Sequence, residues 1–128
     1  MAALVAVDLA GGLLAVAADV NTWAEAWSGD ALLAAPVPMI AVQVLLTWVA
    51  ATRRGRGAIV AAGALALACL VSVVSGFFDG GLANDSLDGP LVAFQVFLLL
   101  VTGTVGGLAL ARAWALGHPA PTPLAGMP

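Results

Sequence analysis

Residues 36–78 read PVPMIAVQVLLTWVAATRRGRGAIVAAGALALACLVSVVSGFF. A 17-residue apolar run (36–52) is followed by the five residues RRGRG and then by a 21-residue apolar run (58–78). About 20 apolar residues in a helix cross a bilayer core of roughly 30 Å. Neither run alternates with period two, so the strands of a membrane barrel are not expected. The stretch reads as two spans joined by a tight turn that carries Arg53, Arg54 and Arg56.

Two further runs, 2–20 and 91–113, have 19 and 23 residues. The first holds Asp8 and lacks a basic n-region, so it reads as a retained span and not as a cleaved signal. The rest of the composition agrees. Of 128 residues, 62% are hydrophobic and 9% charged, and mean hydropathy is +1.09, where a soluble domain carries roughly 25% charged residues. Eleven charged side chains cannot coat a soluble surface. The absence of Lys, with only four Arg, excludes a nucleic-acid partner. Cys69 is the single cysteine, which excludes a disulfide scaffold.

Cytoplasmic N- and C-termini put all four Arg on the inner side, as the positive-inside rule asks. Six of the seven acids (Asp19, Glu25, Asp30, Asp79, Asp85, Asp88) then fall outside. The expected fold is an all-α integral membrane protein, a four-transmembrane-helix up-down bundle over residues 1–114. Its spans are 2–20, 36–52, 58–78 and 91–113, and a Pro-rich cytoplasmic tail without fixed structure follows over 115–128. The expected location is the plasma (inner) membrane of a bacterium, crossed several times.

Between helices in lipid, small residues and polar contacts decide packing. Gly103 and Gly107 stand in GxxxG spacing, continued by Ala111; Ala64, Ala68, Ser72 and Gly76 line the third span, and Gly11 and Ala15 the first. Close packing within the chain is the expected use of these residues. A homodimer through Gly103/Gly107 is the alternative.

Polar residues inside spans are expensive and mark function by default. Here they gather in the outer half: Asp19 with Asn21, Gln43, Ser72 and Ser75 with Asp79, and Gln95. Trp23, Phe77, Phe78, Phe94 and Phe97 lie at the same level and supply an apolar wall. The plainer account makes Gln and Ser structural hydrogen bonds between helices, with the two Asp solvated. Yet Asp19 and Asp79 end their helices, where the dipole disfavours an anion by roughly 0.3–1 kcal/mol, and no Lys or Arg lies on that side. Each must be hydrated, bind a cation or carry a proton part of the time. That is the requirement for an acid and a base. Asp19 and Asp79 are therefore the expected catalytic pair, with Asn21, Trp23, Gln43, Ser75, Phe78 and Gln95 binding substrate. Asp8 lies eleven residues before Asp19, about 20° off the same helical face. It is expected to reach the inner interface and pair with Arg112 or the Arg53–Arg56 cluster.

His118 sits in the tail, away from any haem inside the bundle; no CxxC is present, and Ser72 and Ser75 have no histidine base. No metal and no cofactor are expected. In size and topology the chain is similar to small four-span multidrug exporters, which rely on a membrane-embedded Glu in the first helix. No Glu lies in any span here; the first span holds Asp8 inside its apolar run and Asp19 at its outer end. The residues lead to a small integral membrane enzyme acting on a lipophilic molecule by cofactor-free acid–base chemistry, such as isomerisation, cyclisation or epoxide opening. The alternatives are a dimeric proton-coupled transporter using Asp8 and Asp19, and a non-catalytic subunit of a membrane complex.

Overall fold

The computed structural model describes residues 1–31, 33–78 and 88–118. Among these residues are four helices, α1 (Ala2–Ala17), α2 (Val37–Thr52), α3 (Arg56–Phe78) and α4 (Gly89–Gly117), and a 3-10 turn at Glu25–Trp27. There is no strand among the described residues. Prolines open two of the helices: α2 starts from Pro36 and α4 from Asp88, each with a Pro in its first turn, where a missing N–H does no harm. Between α2 and α3 the chain leaves the helix at Arg53 in an extended conformation and reverses at Gly55. Gly55 has φ +69°, the left-handed region that suits glycine, and its carbonyl accepts the N–H of Ala58 and Ile59 to start α3.

Helices α3 and α4, with 23 and 29 residues, are long and apolar enough to cross a membrane. Only 28% and 22% of their apolar windows are buried inside the bundle. Leu67, Leu70 and Val74 on α3 and Leu100, Leu108, Leu110 and Trp114 on α4 are exposed, and exposed apolar surface of this kind marks contact with lipid or with other protein. Helices α1 and α2 are also apolar, but have 16 residues each, or about 24 Å. Helix α1 stops at Ala17, short of the expected residue 20, because the chain turns back there. Asp19 takes φ 55°, and the N–H groups of Val20 and Asn21 both donate to the Ala15 carbonyl.

Packing runs α2 on α3, α3 on α4 and α4 on α1. At the Arg end, Ala50, Ala61 and Ala62 form a cluster with Leu46, Val49 and Ala113. Leu65, Cys69 and Ala109 form the next layer, which Met1 joins. At the far end Ala15 and Leu33 pack with Val20, Leu91, Val92 and Phe94. The α3–α4 seam departs from the GxxxG reading. On α4 it uses Leu99 against Gly76, Gly106 against Cys69, and Ala109 against Leu65 and Cys69. A Cβ on Gly106 would stand 2.8 Å from Cys69 Cβ, whereas Gly107 meets nothing within 4 Å and Gly103 only Val73 Cγ2 at 4.0 Å.

Arg112 corrects a second expectation. Its guanidinium donates from Nε (3.0 Å) and Nη2 (2.7 Å) to the Ala50 carbonyl, not to Asp8. That carbonyl lies in the last turn of α2, where no backbone N–H is left to satisfy it. The contact gathers the four Arg at one end of the bundle. Helix α4 also continues to Gly117, into the expected tail. There the N–H of His118 donates to the Trp114 carbonyl and the two rings stack at 4.2 Å. Residues 119–128 lie outside the described residues.

Between α1 and α2 the chain folds back along α1. Leu33 and Ala34 are buried, with the Leu33 carbonyl laid over Gly11 so closely that any Cβ there would collide with it. The Trp27 ring covers Gly12, 2.7 Å from where a Cβ would stand. Thr22 and Glu25 brace the turn reciprocally: the Thr22 N–H donates to Glu25 Oε2 at 2.8 Å, and the Glu25 N–H to Thr22 Oγ1 at 3.4 Å. This is the capping-box arrangement.

Candidate functional site

Helix α1 buries one stripe, Leu4, Asp8, Gly11, Gly12 and Ala15, at the 3–4 residue spacing of a single face. Asp8 is therefore carried inward, with 2% of its surface exposed. Its Oδ1 accepts the Ala35 N–H at 3.0 Å. Its Oδ2 has no hydrogen-bond partner among the described residues. The expected inner-interface pairing of Asp8 is thus replaced by a bond to the returning connection. The reason is Gly11, which lets that backbone come within reach of the carboxylate.

Asp8 opens onto a cavity of about 480 Å³. Leu4 and Asp8 of α1 form one wall, and Asp30 and residues 34–36 of the connection a second. Met39 and Gln43 of α2 face Val71, Ser72, Ser75 and Gly76 of α3, and Gln95, Leu98, Leu99 and Thr102 of α4 complete the lining. The clusters around Ala50 and Cys69 fill the bundle toward the Arg end. Gln43 and Gln95 are buried, at 2% and 4% exposure, and Gln95 Oε1 has no partner among the described residues. Gly76 makes room for this arrangement. A Cβ there would stand 2.6 Å from Leu99 Cδ2 and 3.4 Å from Gln95 Nε2.

Buried polar atoms are normally bonded, and each exception asks for an explanation. Here the two unmatched atoms, Asp8 Oδ2 and Gln95 Oε1, are both acceptors. The Thr102 hydroxyl is already committed to the Leu98 carbonyl at 2.9 Å, and no Lys, Arg or His lines the cavity. A shallower apolar groove formed by Leu70, Val71, Val74, Ser75 and Phe78 adjoins it, sharing Val71 and Ser75.

Of the residues expected to form the site, Gln43, Ser75 and Gln95 come together on the cavity. Phe78 lies on the groove and is 83% exposed. Asn21 donates its amide to the Asp30 carbonyl at 3.2 Å, within the connection. Trp23, 63% exposed, sets its ring edgewise to Trp27 at 6.0 Å. Asp19 is exposed at the end of α1 and does not line the cavity. Asp79 falls outside the described residues. Asp8, Asp30 and Thr102 are cavity residues that sequence reasoning did not assign to the site. The signal for Asp8 was the Gly11-Gly12 pair one turn later, which marks a close backbone approach to that face.

Among the described residues no group of three or more His, Cys, Asp or Glu is placed to hold a metal. Cys69 is buried between α3 and α4 and off the cavity. Comparison of the chain with protein-family models, curated proteins and solved structures gives no match.

Proposed function

We propose that this is a small multi-pass protein of the plasma (inner) membrane that takes a lipophilic small molecule into its cavity and exchanges a proton with it at Asp8. Such cofactor-free acid–base chemistry serves an isomerase, a cyclase or an epoxide-opening enzyme. One observation carries the reading: a nearly fully buried carboxylate with an unmatched oxygen, facing a cavity that also holds two buried carboxamides. A volume of about 480 Å³ lies within the roughly 300–1,000 Å³ range of small-molecule sites. Asp30, exposed on the connection, exchanges protons with water, and Gln43 and Gln95 orient the substrate. The apolar groove on α3 gives a lipophilic molecule a lateral route from the bilayer.

In this reading all four helices traverse the bilayer, the two shorter ones with local thinning of it. The four Arg and both termini face the cytoplasm, and the connection over α1 faces outward. In this proposal Asp8 takes the acid–base role expected of Asp19 and Asp79; Asp19 stands off the cavity, and Asp79 lies outside the described residues.

The test uses the full chain in nanodiscs, incubated in D₂O with a total lipid extract and followed by mass spectrometry. The wild type is expected to convert a component of the extract, seen as solvent deuterium on carbon or a product mass, and Asp8→Asn to convert none. Equal conversion by Asp8→Asn overturns the role of Asp8. No conversion by either protein overturns the enzymatic reading.

A further inference from the structure

We propose that the cavity receives the N–H-bearing cationic head of an amphiphilic amine, a primary or secondary ammonium held between Asp8 Oδ2 and Gln95 Oε1. This rests on the cavity being the ligand site, as read above, and adds the chemical class of the ligand. The argument is one of unmatched hydrogen-bonding capacity. Both atoms are buried acceptors without a partner among the described residues. Two donors of the cavity lining are used elsewhere: the Ala35 N–H goes to the other oxygen of Asp8, and the Thr102 hydroxyl to Leu98. The charge balance points the same way, since Asp8 and Asp30 line the cavity and no cationic side chain does.

A ligand that only accepts hydrogen bonds leaves both oxygens stranded in a low-dielectric site. An alcohol brings one donor and no charge. A quaternary ammonium brings charge but no N–H. A primary or secondary ammonium supplies at least two donors and the compensating charge, and its bond to a carboxylate is of the strong, charge-assisted kind. Leu4, Met39, Leu98 and Leu99 offer its hydrocarbon part an apolar wall.

The probe is benzylammonium, titrated calorimetrically at pH 7 into the full chain in phosphatidylcholine nanodiscs, with protein-free nanodiscs subtracted. Benzyltrimethylammonium and benzyl alcohol are the comparators. Benzylammonium is expected to bind about tenfold or more tighter than either, a gap of about 1.4 kcal/mol. Asp8→Asn is expected to lose about tenfold or more, and Gln95→Leu a smaller but measurable factor. The proposal is overturned if the quaternary analogue binds as tightly as benzylammonium, or if either variant keeps wild-type affinity. Gln95→Leu leaves the Asp8–Ala35 bond in place, so it decides the matter even if Asp8→Asn does not fold. Conversion of a lipid without amine preference would sink this inference and spare the enzymatic reading; amine binding without any conversion would do the reverse.

Discussion

Asp8, midway along α1, and Ala35, at the threshold of α2, are joined by a 3.0 Å hydrogen bond across 27 residues of chain. This bond fixes the connection between the first two helices to the inner face of α1, and it holds one oxygen of the carboxylate while the other has no hydrogen-bond partner among the described residues.

Asp8→Ala strands the Ala35 N–H in the bundle, a loss of about 1–3 kcal/mol. Asp8→Asn keeps a carbonyl acceptor in the same place and is expected to cost much less. Unfolding in mixed micelles, followed by far-UV circular dichroism, separates the two. Equal losses would show that the bond to Ala35 does not hold the connection.

Two neighbouring glycines on α4 are expected to answer differently to one methyl group. Gly106→Ala meets Cys69 Cβ at 2.8 Å and should destabilise by about 1–3 kcal/mol. Gly107→Ala meets nothing within 4 Å and should stay within about 0.5 kcal/mol of wild type. The same unfolding assay reads both, and a reversed order would place the seam at Gly103/Gly107 after all.

Arg112→Leu removes two donors from the Ala50 carbonyl. Because Arg112 is exposed to its surroundings, the expected loss is only about 1 kcal/mol. Arg112→Lys retains one donor and should fall between the two. A wild-type unfolding midpoint for Arg112→Leu would show that the contact contributes nothing.

The turn at Glu25 gives a pH signature. The Thr22 backbone N–H, and then its hydroxyl, hold the Glu25 carboxyl below its ordinary range. A depressed carboxyl adds stability that is complete above the unfolded value of about 4.3 and fades as pH falls through the lower folded value. Trp27 fluorescence is therefore expected to stay flat from pH 7 to about 5 and to change below about 4. In Glu25→Gln that acid transition should be absent; its persistence would assign it to another group.

The proposed bilayer arrangement is open to labelling. Cysteines placed at Gly29 and Gly57 in a Cys69→Ala background should react with a membrane-impermeant maleimide from opposite sides. In right-side-out vesicles only the Gly29 site is expected to react. Reaction at Gly57 from that side would invert the topology.

The helical architecture was legible because its causes are local. The apolar runs, Pro36 and Pro90 at helix starts, and Gly55 in the Arg-rich turn act within a few residues of where they stand, and the helices follow them to within a few positions. Half the cavity was legible as well, since a buried Gln inside an apolar run has few uses; Gln43 and Gln95 do line one cavity. The other half was not. Asp8 was expected to reach the inner interface and pair with Arg112 or the Arg53–Arg56 cluster, because acids within spans usually partner with cations. Likewise, GxxxG spacing names a smooth face but not the face that meets a partner, and α4 turns Gly106 to Cys69 instead of Gly103 and Gly107.

By itself the sequence determined an apolar all-helical chain with three of its four Arg in one hairpin, because hydropathy and helix punctuation are properties of adjacent residues. Only the tertiary structure decided which carboxylate faces the cavity and which glycine carries the seam. Both depend on how closely two backbones approach, and that distance is set by contacts between residues far apart in the chain, such as Gly11 with Leu33 and Gly106 with Cys69.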